Sequence, residues 1–124
     1  MKYCIDVHEF SFNKIKNGKR KISVHIFDKN SQKIKIFDII NIRNASTNEH
    51  IDCIVKGIAI FDNFNDLIDA LKPQSLGYAN KNEIIVRLNR IFTKELQQSL
   101  NAVAFFIEPQ YEKINIIERG EYER

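Results

Sequence analysis

Apolar and polar residues alternate along short segments of the chain, and this pattern predicts β-strands. Segment 3–7 alternates in this way, and segment 21–27 does so strictly. The apolar face of the second segment consists of Ile22, Val24 and Ile26, and its polar face of Lys21, Ser23 and His25. We therefore expect a half-buried strand there, with its three polar side chains on an exposed face.

Three further segments predict strands, two of them with irregularities. Segment 34–42 predicts either one bent strand or a strand pair, because Asp38 interrupts its apolar pattern. Segment 50–61 is apolar at its odd positions except Gly57, which marks a predicted bulge. Segment 101–108 is almost continuously apolar, as expected of a central strand. A last strand is possible at 113–117.

Helical spacing predicts three main helices. The first covers 10–17, is capped near Ser11 and ends at Gly18. The second covers 63–71 and stops before a proline. The third covers 81–92, where Asn80 and Glu83 resemble a capping box. A short helical turn is also possible after Thr93.

The order of these elements favours an α+β domain with a curved, largely antiparallel sheet that closes toward a barrel. We expect the helices outside the sheet, and one domain over 1–117 followed by a charged tail at 118–124. The predicted single core consists of Ile22, Val24, Ile40, Val55, Ile58, Leu67, Leu88, Val103 and Phe105.

Composition excludes two classes of protein. With 124 residues, 44% hydrophobic and 28% charged, the chain is not wholly disordered. Its longest apolar run is far short of the roughly 18–20 residues of a membrane span. The first residues lack a secretory signal pattern, so we expect a cytoplasmic protein. Cys4 and Cys53 are predicted to be two buried, reduced thiols.

The charge is distributed unevenly. Segment 14–35 holds eight Lys or Arg residues and one acid, Asp28, so it carries a charge of +7, whereas the rest of the chain carries −4. Such a basic segment favours a nucleic-acid or other anionic partner, although a solvated lysine-rich surface would give the same count. The imidazoles of His8, His25 and His50 stand apart, so we expect neither a metal site nor a cofactor.

Residues 12–42 resemble the opening of the ASCH domain family, a PUA-like β-barrel group that includes small single-domain bacterial proteins. The family pattern F-x-x-I-x-x-G-K-K matches at Phe12, Ile15, Gly18 and Lys19, with Arg20 at the second lysine. Residues 32–40 resemble the later family segment Q-K-I-K-V-G-D-I-I, with Phe37 in place of glycine. With further matches such as Phe64 and Leu67, the resemblance covers about residues 5–108. It implies a curved PUA-like barrel.

The resemblance and the basic segment together favour binding of RNA, or of a nucleotide-like ligand, in a basic cleft. Lysine and arginine supply phosphate contacts, and Ser and His side chains can read a base edge or a 2′-hydroxyl. The predicted ligand-binding residues are Lys19, Arg20, Lys21, Ser23, His25 and Tyr78. A protein-interaction module without any nucleic acid is the remaining non-enzymatic alternative.

Some ASCH relatives are amidohydrolases that act on an acylated cytidine with a Lys, a Thr and a Glu, and others are reported as ribonucleases. By resemblance, the Lys falls on Arg20, the Thr on Ser23 and the Glu roughly on Gly77. A guanidinium cannot act as a base, since its pKa exceeds about 12. Ser23 and His25, two apart on a strand, are expected roughly 6–7 Å from one another, too far for a hydrogen bond. We therefore predict no catalytic residue, while leaving hydrolase activity open as the alternative.

Overall fold

Five β-strands and four α-helices make up the computed structural model, which describes residues 2–110. The strands are β1 (Lys2–Val7), β2 (Ile22–Ile26), β3 (Ile39–Asn44), β4 (His50–Phe61) and β5 (Ala102–Pro109). The helices are α1 (Glu9–Lys16), α2 (Phe64–Leu71), α3 (Lys81–Ile91) and α4 (Lys94–Ser99). The possible strand at 113–117 and the tail at 118–124 lie outside the described residues.

The strands form one mixed sheet in the order β1-β3-β4-β5-β2. The β1–β3 pair is parallel, and the other three pairs are antiparallel. The sheet curls into a half-barrel, so the predicted α+β curved barrel is confirmed. Its two edge strands, β1 and β2, are not paired with one another, and the gap between them is called the seam below.

Helix caps and a β-bulge that the sequence predicts are present in the structure. The Asn63 side chain accepts from the Asp66 amide at the start of α2, and the Asn80 side chain accepts from the Glu83 amide at the start of α3. The Glu83 carboxylate in turn accepts from the amide of Ala79, so the predicted capping box is confirmed with its return bond displaced by one residue. The predicted bulge is confirmed as well, since the β4–β5 register shifts between Val55 and Gly57.

Two predicted element boundaries were wrong. Ser11 does not cap α1, because the helix begins at Glu9 and Ser11 is buried within it. The bent strand or strand pair expected over 34–42 is a single strand that begins only at Ile39, since the chain passes through a tight turn at Phe37 first. The Asp38 side chain stabilises that tight turn by accepting from the Lys35 amide.

The apolar core consists of two clusters rather than one. Alternate residues of β5 belong to different clusters, because Val103 and Phe105 are buried in the half-barrel and Ala102 and Ala104 are buried on its other face. Helices α2 and α3 pack against that other face, where the small alanine side chains allow close approach. Of the predicted core residues, the interior cluster contains Ile40, Val55, Val103 and Phe105. The cluster on the other face, called the outer cluster, contains Ile22, Leu67 and Leu88. Val24 and Ile58 are only partly buried against these clusters.

The predicted exposed face of β2 was also wrong. Ile22 and Ile26 are in the outer cluster, whereas Ser23 lies opposite Phe105 in the register and His25 opposite Val103. Residues opposite one another in a sheet point to the same face, so Ser23 and His25 face the interior of the half-barrel. Alternation shows that a strand has two different faces. It does not show that helices cover one face of β2 and that the other face points into the half-barrel.

The two cysteines differ in burial, which corrects the expectation for Cys4. Cys4 is exposed on edge strand β1, and Cys53 is fully buried in the interior cluster. Burial, together with the neighbouring Asp52 carboxylate, raises the pKa of the Cys53 thiol to about 12. Cys53 is therefore an inert apolar residue of the core at neutral pH.

Candidate ligand-binding site

A cavity of about 350 Å³ opens at the seam between the two edge strands. Its walls come from β1, from β2 and from one face of α3. Four of the six predicted ligand-binding residues line it: Arg20, Ser23, His25 and Tyr78. We call this cavity the seam pocket. Most of its surface is apolar, with a few polar groups that converge on it, as is usual for small-molecule sites.

Arg20 is built into the wall of the seam pocket, with only 8% of its surface exposed. Its Nη1 donates to the Ser11 hydroxyl at 2.8 Å, and its Nε donates to the Ile22 carbonyl at 3.2 Å. These bonds join helix α1 to the start of β2. Burial lowers the pKa of the guanidinium, contact with Tyr78 opposes that shift, and the nearby charge of Arg87 reinforces it. The side chain nevertheless remains a cation at any physiological pH.

Ser23 and His25 form a hydrogen-bonded pair in the same wall. The Ser23 Oγ lies 2.7 Å from the His25 Nε2, although the sequence argument placed the two side chains too far apart. Backbone spacing alone separates positions 23 and 25 by roughly 6–7 Å, but side chains on one face of a strand lean along it, and the imidazole is long enough to span the remainder. Ser23 is 5% exposed and His25 is half-buried, so the serine is the more shielded member of the pair.

The His25 ring is neutral at physiological pH. Burial lowers its pKa to about 4, and the charge of Arg20 lowers it in the same direction while Asp28 opposes. The imidazole packs against Phe105, with ring centroids 5.9 Å apart. A neutral imidazole offers one hydrogen-bond donor and one acceptor, which suits it to recognise a polar ligand edge.

Aromatic rings and cations alternate around the mouth of the seam pocket. Tyr78 lies against Phe10, with ring centroids 6.2 Å apart. The Arg20 guanidinium lies 5.5 Å from the Tyr78 centroid, and that of Arg87 lies 6.0 Å from Tyr78 and 5.5 Å from Phe10. The Lys14 ammonium lies 4.8 Å from the Phe10 centroid. Such cation–π contacts hold the charged groups in place while leaving hydrogen-bond donors for an anion.

Gly77 lies directly beside Arg20, in the turn that precedes Tyr78. Its φ of +89° favours glycine, and a Cβ at this position would lie 3.7 Å from the Arg20 Cδ and 3.4 Å from the Lys14 Cδ. Its carbonyl accepts a hydrogen bond from the Lys14 Nζ at 3.3 Å. A glutamate here would be strained by the backbone conformation. The position that the resemblance assigns to a carboxylate thus lies next to Arg20 of the seam pocket, but it holds no carboxylate.

Lys19 and Lys21 do not line the seam pocket. Both are exposed, and they flank the buried Arg20 in sequence. Asp6 is the acid among the residues that line the pocket, and Arg43 holds its carboxylate with two hydrogen bonds of 2.9 and 2.7 Å. That hydrogen bonding to Arg43 lowers the pKa of Asp6. Asp6 is therefore an ionised, paired group at the rim.

Sequence reasoning missed Arg87, Phe10 and Ser11 as parts of the site. The signal for Arg87 was present, because Ile84, Arg87, Leu88 and Ile91 are spaced as one face of α3, and all four line the seam pocket. An arginine within such a stripe is a candidate for a pocket wall. No comparable signal marked Ser11, whose partner Arg20 lies nine residues away.

A second cavity, of about 490 Å³, continues along the seam. It shares Ile5, His25 and Phe92 with the seam pocket, and it adds Tyr3 and Asp28 on the far side of the imidazole. His25 therefore separates two compartments of one groove.

Neither a metal-binding cluster nor a membrane-spanning helix occurs among residues 2–110. No group of three or more His, Cys, Asp or Glu side chains within that range is arranged to hold a metal ion. No helix in the same range has the length and apolar character needed to span a membrane.

Comparison with solved structures identifies the fold. The hypothetical archaeal protein PH0355 superimposes with a TM-score of 0.79 at 25% identity, over 89% of this chain and all of its own. Protein PF0455 from Pyrococcus furiosus gives 0.72 at 23% identity, over 90% of this chain and all of its own. An ASCH protein from Zymomonas mobilis gives 0.60 at 15% identity, over 87% of this chain and 69% of its own. No protein-family model and no curated protein matches the sequence. The half-barrel, its helices and its seam together are therefore an ASCH-like fold.

Proposed function

We propose that the protein binds a nucleotide in the seam pocket, either free or as one unit of an RNA chain. The observation that carries this proposal is the convergence of Arg20, Arg87, Tyr78 and the Ser23–His25 pair on one apolar cavity. At about 350 Å³, the cavity is at the lower end of the range for small-molecule sites, which suits a single nucleotide unit.

Each group has a distinct role in this proposal. Arg87, at the mouth, pairs with a phosphate through the planar fork of its guanidinium. The Tyr78 ring stacks on the base, and the Ser23–His25 pair hydrogen-bonds a base edge or a 2′-hydroxyl. The exposed Lys19 and Lys21 contact the phosphates of neighbouring nucleotides when the ligand is an RNA chain.

Hydrolysis through Ser23 is the second candidate, favoured by the 2.7 Å contact between its Oγ and the His25 Nε2. A serine nucleophile needs a base with a pKa near the working pH, and that of His25 is about 4. Gly77 supplies no carboxylate, and Arg20 cannot accept a proton. A neutral His25 and a permanently charged Arg20 are poorly suited to catalysis but well suited to binding, so we favour binding over hydrolysis.

The test is fluorescence anisotropy with a labelled single-stranded RNA and its duplex, together with competition by nucleoside monophosphates. We expect the single strand to bind more tightly, because only an unpaired base can enter the pocket. Arg87→Gln should weaken both the RNA and the monophosphate about tenfold, since one charge-assisted pair is lost. The matched control is Arg90→Gln, an exposed arginine on the same helix that does not line the pocket. Equal losses in the two variants, or wild-type protein that binds neither ligand, would refute the proposal.

A further inference from the structure

Phe37 occupies an unusual position outside the seam pocket. Its backbone φ is +76°, which strains a bulky side chain, and 68% of its surface is exposed. The neighbouring Ile36 is 49% exposed. Burial does not explain an aromatic residue here. Strain of this kind at an exposed position is typical of functional sites.

The turn that holds Phe37 is fixed rigidly against the sheet. The Phe37 amide donates to the Val55 carbonyl at 2.7 Å, and the Val55 amide donates to the Asp38 carbonyl at 2.9 Å. These two bonds keep the strained conformation in place. The ring is therefore presented at a defined point, at low entropic cost to a ligand.

Cations surround this turn. The Lys56 ammonium lies 5.9 Å from the Phe37 ring centroid, and Lys33 and Lys35 are exposed on the same segment. Two acids lie among them: Glu108 is 3.7 Å from Lys56, and the Asp38 side chain accepts from the Lys35 amide. The three lysines outnumber these two acids.

The turn lies in the same hydrogen-bonded row of the sheet as Lys21, a basic residue next to Arg20 of the seam pocket. Phe37 bonds to Val55, Val55 is paired with Ile107, and the Ile107 amide donates to the Lys21 carbonyl at 2.9 Å. With neighbouring strands about 4.8 Å apart, this row spans roughly 14 Å from Lys21 to Phe37. An extended strand of a few nucleotides can cover such a distance.

We propose that Phe37 is a stacking platform for a base of a single-stranded nucleic acid whose backbone passes Lys21 and Lys56. This inference rests on the proposed function and adds that the ligand is a chain rather than a free nucleotide. An exposed ring among lysines is the usual arrangement for sequence-tolerant binding of single strands. A protein interface fits less well, because Phe37 and Ile36 expose on the order of 200 Å², whereas a stable interface needs roughly 1,000 Å².

The variant Phe37→Gly distinguishes a role in RNA binding from a role in folding. If Phe37 binds RNA, affinity falls and stability does not; if Phe37 stabilises the fold, stability falls. Glycine removes the strain at φ +76°, so the urea midpoint of the variant should not be lower than that of wild type. Affinity for a labelled single-stranded RNA of about eight nucleotides should fall about 5- to 100-fold. The slope of affinity against salt should not change, since no phosphate contact is lost. Phe37→Trp should keep the affinity, and Ile60→Ala, which trims another half-exposed apolar residue of the sheet, should have no effect.

Several outcomes would overturn the inference. Phe37→Gly with full RNA affinity would do so, as would parallel losses of stability and affinity. Dimerisation of the wild type in sedimentation, abolished by Phe37→Gly, would identify the patch as a protein interface instead. Competition by a nucleoside monophosphate distinguishes the two proposals. Normal monophosphate binding with unchanged RNA affinity in Phe37→Gly refutes only the platform, whereas wild type that binds neither ligand refutes both.

Discussion

Two groups of polar residues lie close together in sequence but differ in burial and in the contacts of their side chains. Arg20, Ser23 and His25, called the seam groups here, are largely withdrawn from solvent, and each has a defined contact to a protein atom. Lys19 and Lys21, called the surface lysines, flank Arg20 and are exposed. The seam groups are part of the fold as well as of the proposed site, whereas the side chains of the surface lysines form no hydrogen bond or ion pair with another residue in 2–110.

This difference separates stability from binding. A buried polar group that loses its partner leaves an unsatisfied atom behind, so changes to the seam groups should affect folding and ligand binding together. Changes to exposed lysines should affect binding alone.

The largest expected effect is on the pH dependence of stability, through His25. Its folded pKa of about 4 lies below the value of about 6.5 in an unfolded chain. As pH falls from 6.5 to 4, the unfolded state takes up a proton that the folded state does not, so stability is lost across that window, by about 3 kcal/mol in total. Urea unfolding at several pH values measures this loss.

His25→Gln serves as the control for the pH experiment. Because glutamine does not titrate, the variant should lose about 3 kcal/mol less than wild type between pH 6.5 and 4. The pairing of Asp6 with Arg43 also weakens in acid, but it contributes to both proteins alike. Equal pH dependence in the two proteins would contradict the buried, neutral state of His25.

Arg20→Ala should lower the free energy of unfolding by about 2 kcal/mol, because the Ser11 hydroxyl and the Ile22 carbonyl lose their buried donor. It should also abolish measurable ligand binding at the seam pocket. Arg90→Ala, which alters an exposed arginine of α3, should change stability by no more than ~0.5 kcal/mol. If the two variants were equally stable, the desolvation cost of the buried guanidinium would cancel its hydrogen bonds, and the seam groups would not be structural.

The surface lysines should show the opposite behaviour. Contacts with three to five phosphates of a single strand give a slope of log affinity against log salt of roughly −2 to −3.5. The double variant Lys19→Ala and Lys21→Ala should flatten it by about one to one and a half units, with a stability change within ~0.5 kcal/mol. A matched double variant at the exposed Arg90 and Lys94 should leave the slope unchanged. Wild-type affinity that ignores salt would favour a protein-interaction module.

Elements that depend on neighbouring residues could be predicted from the sequence, whereas those that depend on contacts between distant segments could not. Hydrophobic alternation and capping are local, so the strands at both ends of the described fold, the bulge at Gly57 and helices α2 and α3 were predicted within one or two residues. The turn at Phe37 was not, because two hydrogen bonds to Val55 hold a conformation that phenylalanine itself disfavours.

The site was predicted less completely than the fold, since contacts between distant segments form it. The basic segment pointed to Arg20, and the strand pattern pointed to Ser23 and His25. The burial of Arg20 depends on α1, and that of Ser23 and His25 depends on the interior of the half-barrel, neither of which alternation reveals. Arg87 joins them from a helix more than sixty residues later in the chain.

The smallest expected effect is on catalysis, where we predict no hydrolysis of acetylcytidine above background. The Ser23–His25 hydrogen bond supplies the geometry of a nucleophile and its base, but a base with a pKa of about 4 accepts a proton from a serine hydroxyl only weakly. Arg20 stays protonated, and the backbone at Gly77 holds no carboxylate to assist. The test is to measure the release of acetate from acetylcytidine by the wild-type protein and by Ser23→Ala. Turnover that disappears in Ser23→Ala would show that the seam groups are catalytic, whereas turnover that survives the substitution would have its source elsewhere.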